Sequence, residues 1–325
     1  MILVTGATGF LGSTLVRQIT DTNQQIIAIK RPSSKIPRFL EGNPLITWVD
    51  VDICDYFQVY DNLKNVKQVY HCAAKVSYDP NDSEEMHKVN IEGTENIVNV
   101  CLKYDIRLLH VSSIASLGKS KQALINESDV WEYDSRLSNY SVSKYYGEME
   151  VWRGIEEGLN AVIVNPSIIL GKDSGIEGSG QIFGLVNKGL GIYPTGSVGL
   201  VAVEDVTELM ITLMNDDTIR SERYIINGEN VTNKELVEKI SVLMGKKMPK
   251  ISANRWLLGV LWRLSMWSSK IFRHKPFITK DSARAAINKM AFSNKKITQL
   301  TAHKFKPIDQ VLEEIVKHLK STQTI

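Results

Sequence analysis

Short apolar runs alternate with amphipathic stretches through the first half of the chain. Met1-Ile2-Leu3-Val4-Thr5, Ile26-Ile27-Ala28-Ile29, Ile46-Thr47-Trp48-Val49, Val69-Tyr70, Leu108-Leu109-His110-Val111 and Ala161-Val162-Ile163-Val164 each read as a short buried strand. Between them, residues 12–21, 56–63, 83–104 and 138–157 read as helices. This alternation predicts an α/β fold: a doubly wound parallel sheet with helices on both faces and ligands at the carboxyl ends of its strands. After Pro166 the rhythm changes. Residues 171–199 are glycine-rich and irregular around a short helix at 181–188. Residues 201–214 read as strand into helix, 223–227 as one more sheet strand, and 232–244 as a helix capped by Thr232. The expected organisation is a sheet-bearing core over 1–170, rejoined by 200–228, with a smaller, mostly helical lobe built from 171–199 and 229–325.

Composition narrows the class. The 325 residues suffice for a substantial core, and 39 basic against 36 acidic residues, net +3, imply no nucleic-acid partner. Cys54, Cys72 and Cys101 are odd in number, lack metal-ligand spacing and lie in or beside apolar segments. They read as buried free thiols of a reducing compartment, and no metal site is expected. The first strand begins at once, leaving no room for a signal peptide, so a cytoplasmic location is expected.

Gly6-Ala7-Thr8-Gly9-Phe10-Leu11-Gly12 follows the first strand directly and opens a helix. Glycines at this spacing let the backbone turn sharply, approach a pyrophosphate and pack helix on strand. A ligand-free strand–turn–helix is the bland alternative. The second strand runs out as Ile29-Lys30-Arg31-Pro32-Ser33-Ser34-Lys35, with no carboxylate to accept from a free ribose 2′-hydroxyl. Arg31 offers a planar fork for a 2′-phosphate, with Ser34, Lys35, Lys30 and Ser33 as additional donors. NADP(H) is therefore favoured over NAD, against the alternative of a solvated basic turn. Asp52-Ile53 ends the third strand and suits an adenine, although Asp52 serves equally as a helix cap. Ala73 and Ala74 after the fourth strand are small enough for a cofactor to lie close, and His71 before them reads as structural.

Tyr140-Ser141-Val142-Ser143-Lys144 opens a helix and sets Tyr140 and Lys144 one turn apart on one face. A free phenol titrates near 10, and a neighbouring ammonium, with the positive nicotinamide nearby, is expected to lower that value toward use at neutral pH. Ser113, at the end of the fifth strand, supplies a hydroxyl to hold a substrate oxygen.

With these residues in place, the chain resembles the extended short-chain dehydrogenases/reductases, the NAD-dependent epimerase/dehydratase superfamily, over roughly residues 1–171. The resemblance is carried by Gly6/Gly9/Gly12, Asp52-Ile53, His71-Cys72-Ala73-Ala74, Val89-Asn90-Ile91-Glu92-Gly93-Thr94, Ser112-Ser113, Tyr140/Lys144 and Asn165-Pro166 through Gly171. Within it the chain is most similar to the dihydroflavonol 4-reductase and 3β-hydroxysteroid dehydrogenase-like branch. The resemblance implies a Rossmann core and a catalytic trio of Ser113, Tyr140 and Lys144. It also implies Asn90 as a brace of sheet and cofactor, and Pro166, Ile168 and Ile169 beside the nicotinamide. Two departures stand out. Asn165 occupies a position where many relatives carry arginine, and Ile114-Ala115 follow Ser113 where sugar-nucleotide dehydratases place Asp-Glu. The second departure argues against dehydration.

The expected activity is NADPH-dependent reduction of a hydrophobic carbonyl compound, or oxidation of its alcohol, by a monomer or homodimer. A nucleotide-sugar epimerase with tightly held NAD and a non-catalytic NADP sensor are the alternatives. The second half says less about substrate. Arg220, Arg223 and Arg255 are candidate partners for a diphosphate, and Phe183, Leu190, Tyr193 and Tyr146 for an apolar pocket. The tryptophan-rich run 256–267 is too short to span a bilayer, which takes about 20 residues. It reads as a core helix, a lid over an apolar substrate, or an interfacial helix with Arg255, Arg263, Lys270, Arg273 and Lys275 near lipid headgroups across 255–275.

Overall fold

The computed structural model describes residues 1–118, 124–134, 137–176, 178–272, 276 and 278–322. Arg273 and Lys275, named above as headgroup partners, lie outside the described residues, as does the side chain of Lys270.

The first half runs β1 (Ile2–Thr5), α1 (Phe10–Asp21), β2 (Ile26–Lys30), β3 (Ile46–Asp50), α2 (Tyr56–Asn62), β4 (Gln68–His71), α3 (Ser83–His87), α4 (Gly93–Tyr104), β5 (Arg107–Val111), α5 (Asn139–Glu156) and β6 (Ala161–Pro166). Then follow β7 (Ile168–Leu170), α6 (Gln181–Asn187), β8 (Ile192–Pro194), β9 (Ser197–Ala202), α7 (Val203–Asn215), β10 (Glu222–Ile226), β11 (Glu229–Thr232), α8 (Asn233–Met244), β12 (Ile251–Ala253), α9 (Arg255–Phe272), α10 (Lys280–Ala285), α11 (Lys295–Thr301) and α12 (Ile308–Ser321).

Seven parallel strands form the central sheet in the order β10-β6-β5-β4-β1-β2-β3. This is the doubly wound sheet expected from the apolar runs. The order reverses between β1 and β4, the point at which sheets of this kind take a ligand beyond their strand ends. Apolar side chains fill both faces: α1 and α7 cover one through Leu15, Val16, Val206 and Met210, while α2, α4 and α5 cover the other through Val59, Ile97, Val98 and Val151.

Beyond β6 the chain builds a second layer. β7, β9 and β11 pair as a small sheet, against which α6, α8 and α12 pack around Phe183, Val237, Ile240, Leu312 and Ile315. Thr232 caps α8 in a reciprocal box with Glu235, as the sequence indicates. Phe183, expected in a substrate pocket, is fully buried in this core, with Leu190 and Tyr193 packed against it. Tyr146 stands at the surface, edge-on to Trp131. β8 pairs with β12 and supports α9 and α10.

Two local expectations change. Residues 83–104 are not one regular helix, because a π-helical stretch, Lys88–Glu92, separates α3 from α4. Of the three free cysteines only Cys101 is buried, since Cys54 and Cys72 sit in strand-end loops.

Candidate active site

The glycine turn is shaped for a close visitor. Gly6 has φ near +66°, and a β-carbon there would stand 2.7 Å from the Ala73 amide nitrogen. At Gly12 a β-carbon would lie 2.3 Å from the Gly6 carbonyl oxygen, so helix and strand meet closely only without one. Gly9 precedes α1, and no side chain caps that helix end. The first-turn amides of Phe10, Leu11 and Gly12 therefore keep no intrahelical partner and present the positive end of the helix. Thr8 lies within the turn. These residues fit a pyrophosphate.

Past β2, Lys30 is paired with Asp50 of β3 at 2.5 Å, so it is not the additional phosphate donor expected from the sequence. The same pair neutralises the carboxylate at this strand edge. Arg31 and Lys35 are exposed, and the Ser34 amide donates to the Arg31 carbonyl at 2.9 Å, closing a turn around them. Asp52 does not cap α2. Asp55 does, accepting from the Phe57 and Gln58 amides, while one Asp52 oxygen accepts from the Cys54 amide at 3.0 Å. Ile53 is buried against α4, and its carbonyl accepts from Asn96.

Behind the turn, Thr5 Oγ1 bonds His71 Nδ1 at 2.7 Å and accepts from the Ala73 amide at 3.2 Å. His71 Nε2 meets Thr94 Oγ1 at 3.1 Å. Burial pushes this imidazole down to about 3, so it is neutral and structural, as expected. Ala74 follows, exposed. Asn90, in the π-helical stretch, accepts from the Lys75 amide at 2.8 Å and donates to the Lys75 carbonyl at 2.9 Å and Ser143 Oγ at 3.0 Å. It thereby ties the loop after β4 to α5.

The proposed trio gathers at the ends of β5 and α5. Ser113 follows β5, where its Oγ accepts from the Ala115 amide at 3.1 Å. Ser138 caps α5, setting Tyr140 in the first turn. Burial pushes the Tyr140 phenol up to about 12, against the smaller opposing pull of Ser113 beside it. Lys144 without the nicotinamide does not outweigh this burial. The reason is geometric as well as dielectric: the Lys144 ammonium donates to the Val111 carbonyl at 2.8 Å. Burial brings Lys144 down to about 8, against the opposing pull of Glu148. Tyr78 stands beside the phenol, ring centres 6.1 Å apart. Pro166 ends β6 in the core, and Ile168 and Ile169 open β7, Ile168 with 38% of its surface exposed.

Sequence reasoning missed the centre beneath the trio. Glu148, only 1% exposed, accepts on one oxygen from Ser112 at 2.6 Å, Ser116 at 2.7 Å and Asn165 Nδ2 at 2.8 Å. Its other oxygen takes Trp152 Nε1 and Arg223 Nη1, both at 3.2 Å. Tyr140, Lys144 and Glu148 are spaced i, i+4, i+8, and that period was the available signal. Arg223 also donates to the Glu127 and Asp129 carbonyls, so it holds the protein together and is not free for a diphosphate. Arg220 donates to the Asp217 carbonyl at the far edge of the sheet, ahead of β10.

Comparison with known proteins gives the same picture. A protein of Synechocystis sp. provisionally named a dihydroflavonol 4-reductase is 28% identical over 321 residues, 96% of this chain and 92% of that protein. Sterol demethylase protein B of Methylococcus capsulatus is 29% identical over 253 residues, covering 77% of this chain and 76% of its own. The crystal structure of gox2253 superposes with a TM-score of 0.84 at 28% identity, covering 100% of this chain and 99% of that one. Residues 2–227, which contain the whole central sheet and every cleft side chain described above, match the family model, and the chain is a member of the NAD dependent epimerase/dehydratase family.

Proposed function

We propose that this protein is an NADP(H)-dependent reductase of hydrophobic carbonyl compounds, able to run in reverse as an alcohol dehydrogenase. The observation that carries the reading is a Tyr140 phenol kept protonated by its surroundings, with Ser113 beside it and the Lys144 ammonium one helical turn away. A phenol held up to about 12 keeps its proton at neutral pH and releases it only to a stronger base, such as an oxygen gaining negative charge. Ser113 supports that oxygen from the side. Lys144 spends one N–H on Val111, leaving two for the phenol and a ribose hydroxyl. Bound NADPH would supply the hydride to the carbonyl carbon. Gly6, Gly9 and Gly12 with the amides of Thr8, Phe10 and Leu11 would hold its pyrophosphate, Arg31, Ser34 and Lys35 its 2′-phosphate, and Asp52 and Ile53 its adenine. Ala73, Ala74, Asn90, Pro166, Ile168 and Ile169 would frame the nicotinamide end.

Two features favour a hydrophobic carbonyl over a nucleotide sugar. Arg223 is committed to Glu148, and Ile114-Ala115 supply no acid and base for dehydration. The names of the dihydroflavonol reductase and sterol demethylase relatives point to ring-bearing, largely apolar substrates. For cofactor choice, the Asp50 carboxylate beside β2 is neutralised by Lys30, whereas Arg31 is exposed. Tyr140→Phe tests the reading: turnover is expected to fall about 1,000-fold with NADPH affinity changed less than about twofold. Unchanged turnover in that variant would remove the phenol from the chemistry.

A further inference from the structure

Helix α9 places large apolar side chains where water is. Trp256, Val260, Leu264, Trp267 and Ile271 are spaced by four, four, three and four, which puts them on one helical stripe. They are 76, 37, 57, 66 and 51% exposed. The opposite side of α9 already satisfies the fold, where Leu257, Leu258, Leu261 and Trp262 pack with Ala253, Ala283 and Ile287. Single exposed apolar residues are ordinary, but five large ones on one stripe form a contiguous patch that marks an interaction surface.

The surrounding charge says what kind. From 239 to 280 the sequence carries ten Lys and Arg and no Asp or Glu. Arg255 and Arg263 of α9 face Lys280 and Arg284 of α10 across a recess of about 200 Å³, with Trp262 and Leu258 among its walls. The next carboxylate along the chain, Asp281, accepts from the Asn139 amide. A second copy of this face would bring like charges together, whereas an anionic lipid surface offers apolar depth and negative headgroups at once. No helix among the described residues is long and apolar enough to cross a membrane.

We propose that α9 lies flat on an anionic phospholipid bilayer, its tryptophan stripe at the acyl boundary and the cations of the α9–α10 recess among the headgroup phosphates. Asp281 takes the amide of Asn139, the residue before Tyr140, so the first turn of α10 borders the mouth of the cleft. Docking therefore sets that mouth beside the lipid, a consequence that rests on the hydrophobic substrate proposed above. The docking itself does not.

The test uses the full chain without substrate or cofactor. Vesicles of phosphatidylglycerol and phosphatidylcholine are expected to sediment the protein and shift its tryptophan emission to the blue. Vesicles of phosphatidylcholine alone, or added salt, are expected to weaken binding about tenfold or more. Trp256→Ser/Leu264→Ser/Trp267→Ser is expected to abolish both signals while keeping the circular dichroism and melting temperature of the parent. No sedimentation with anionic vesicles overturns the proposal, as does equal binding by the triple variant. Concentration-dependent dimerisation that the triple variant abolishes, with no vesicle binding, assigns the face to a second copy instead.

Discussion

Helices α5 and α9 are both eighteen residues long, and they depart from the apolar-inside pattern in opposite directions. α5 buries Ser143, Lys144 and Glu148; α9 exposes Trp256, Leu264 and Trp267. Inside the protein every inward charge of α5 is met: Lys144 by Val111, and Glu148 by two serines, an asparagine, a tryptophan and Arg223. Such a network is stable only when complete, because an orphaned buried charge costs far more than a filled one contributes. The outward stripe of α9 has no comparable completion within the described residues. The fold thus accounts for α5 by itself, and α9 only together with something outside it.

The largest effect is expected at Arg223, whose guanidinium meets the buried Glu148 carboxylate. Arg223→Met leaves the buried Glu148 without its hydrogen-bonded cation and is expected to cost about 3–5 kcal/mol in urea unfolding. A loss below about 1 kcal/mol would show the inward network to be incidental. Next comes Lys144→Met, expected to lower turnover about 100-fold. Because burial holds the Lys144 ammonium near 8, parental turnover should decline as pH rises through that value, and the variant should lack that limb.

The third prediction concerns acid. Burial holds His71 near 3 and His110 well below the usual imidazole range, and neither ring nitrogen of His110 has a partner among the described residues. Unfolded, both titrate near 6.5, so on acidification below that value the unfolded chain binds protons that the folded chain refuses. Stability should therefore fall from pH 7 to 5.5 by roughly 2 kcal/mol for the pair, and His110→Phe should remove about half of that slope. Urea melts at the two pH values check it. The smallest effect belongs to the other helix. Trp267→Ser is expected to change stability by less than about 0.5 kcal/mol, since its surroundings are solvent. A loss comparable to Arg223→Met would mean that the stripe packs inward after all.

Strands and the glycine turn were legible because their causes are local. Val4 and Leu3 must be buried to make β1, and Gly6 and Gly12 are required by contacts within a few residues or one strand away. Helix α5 and its pairing of Tyr140 with Lys144 were legible for the same reason, through one i, i+4 spacing. What stayed hidden depends on distant partners. The π-helical stretch around Asn90 is pinned by Lys75 and by Ser143, 53 residues away. The Glu148 centre needs Arg223, 75 residues away, and the i, i+4, i+8 period that marks Glu148 says nothing of that partner. The phenol's upward shift was missed because a one-turn spacing to Lys144 says nothing about burial, which dominates. Phe183 was open to two readings until α8 and α12 closed over it.

The most direct measurement is the absorbance change of NADPH and of NADH with a panel of apolar aldehydes and ketones. Steady NADPH oxidation with at least one member, and NADH slower by about tenfold or more, is the expected result, since only the 2′-phosphate can engage the Arg31 fork. Protein that purifies with stoichiometric NAD and consumes neither nucleotide across the panel would contradict a hydride-transferring reductase.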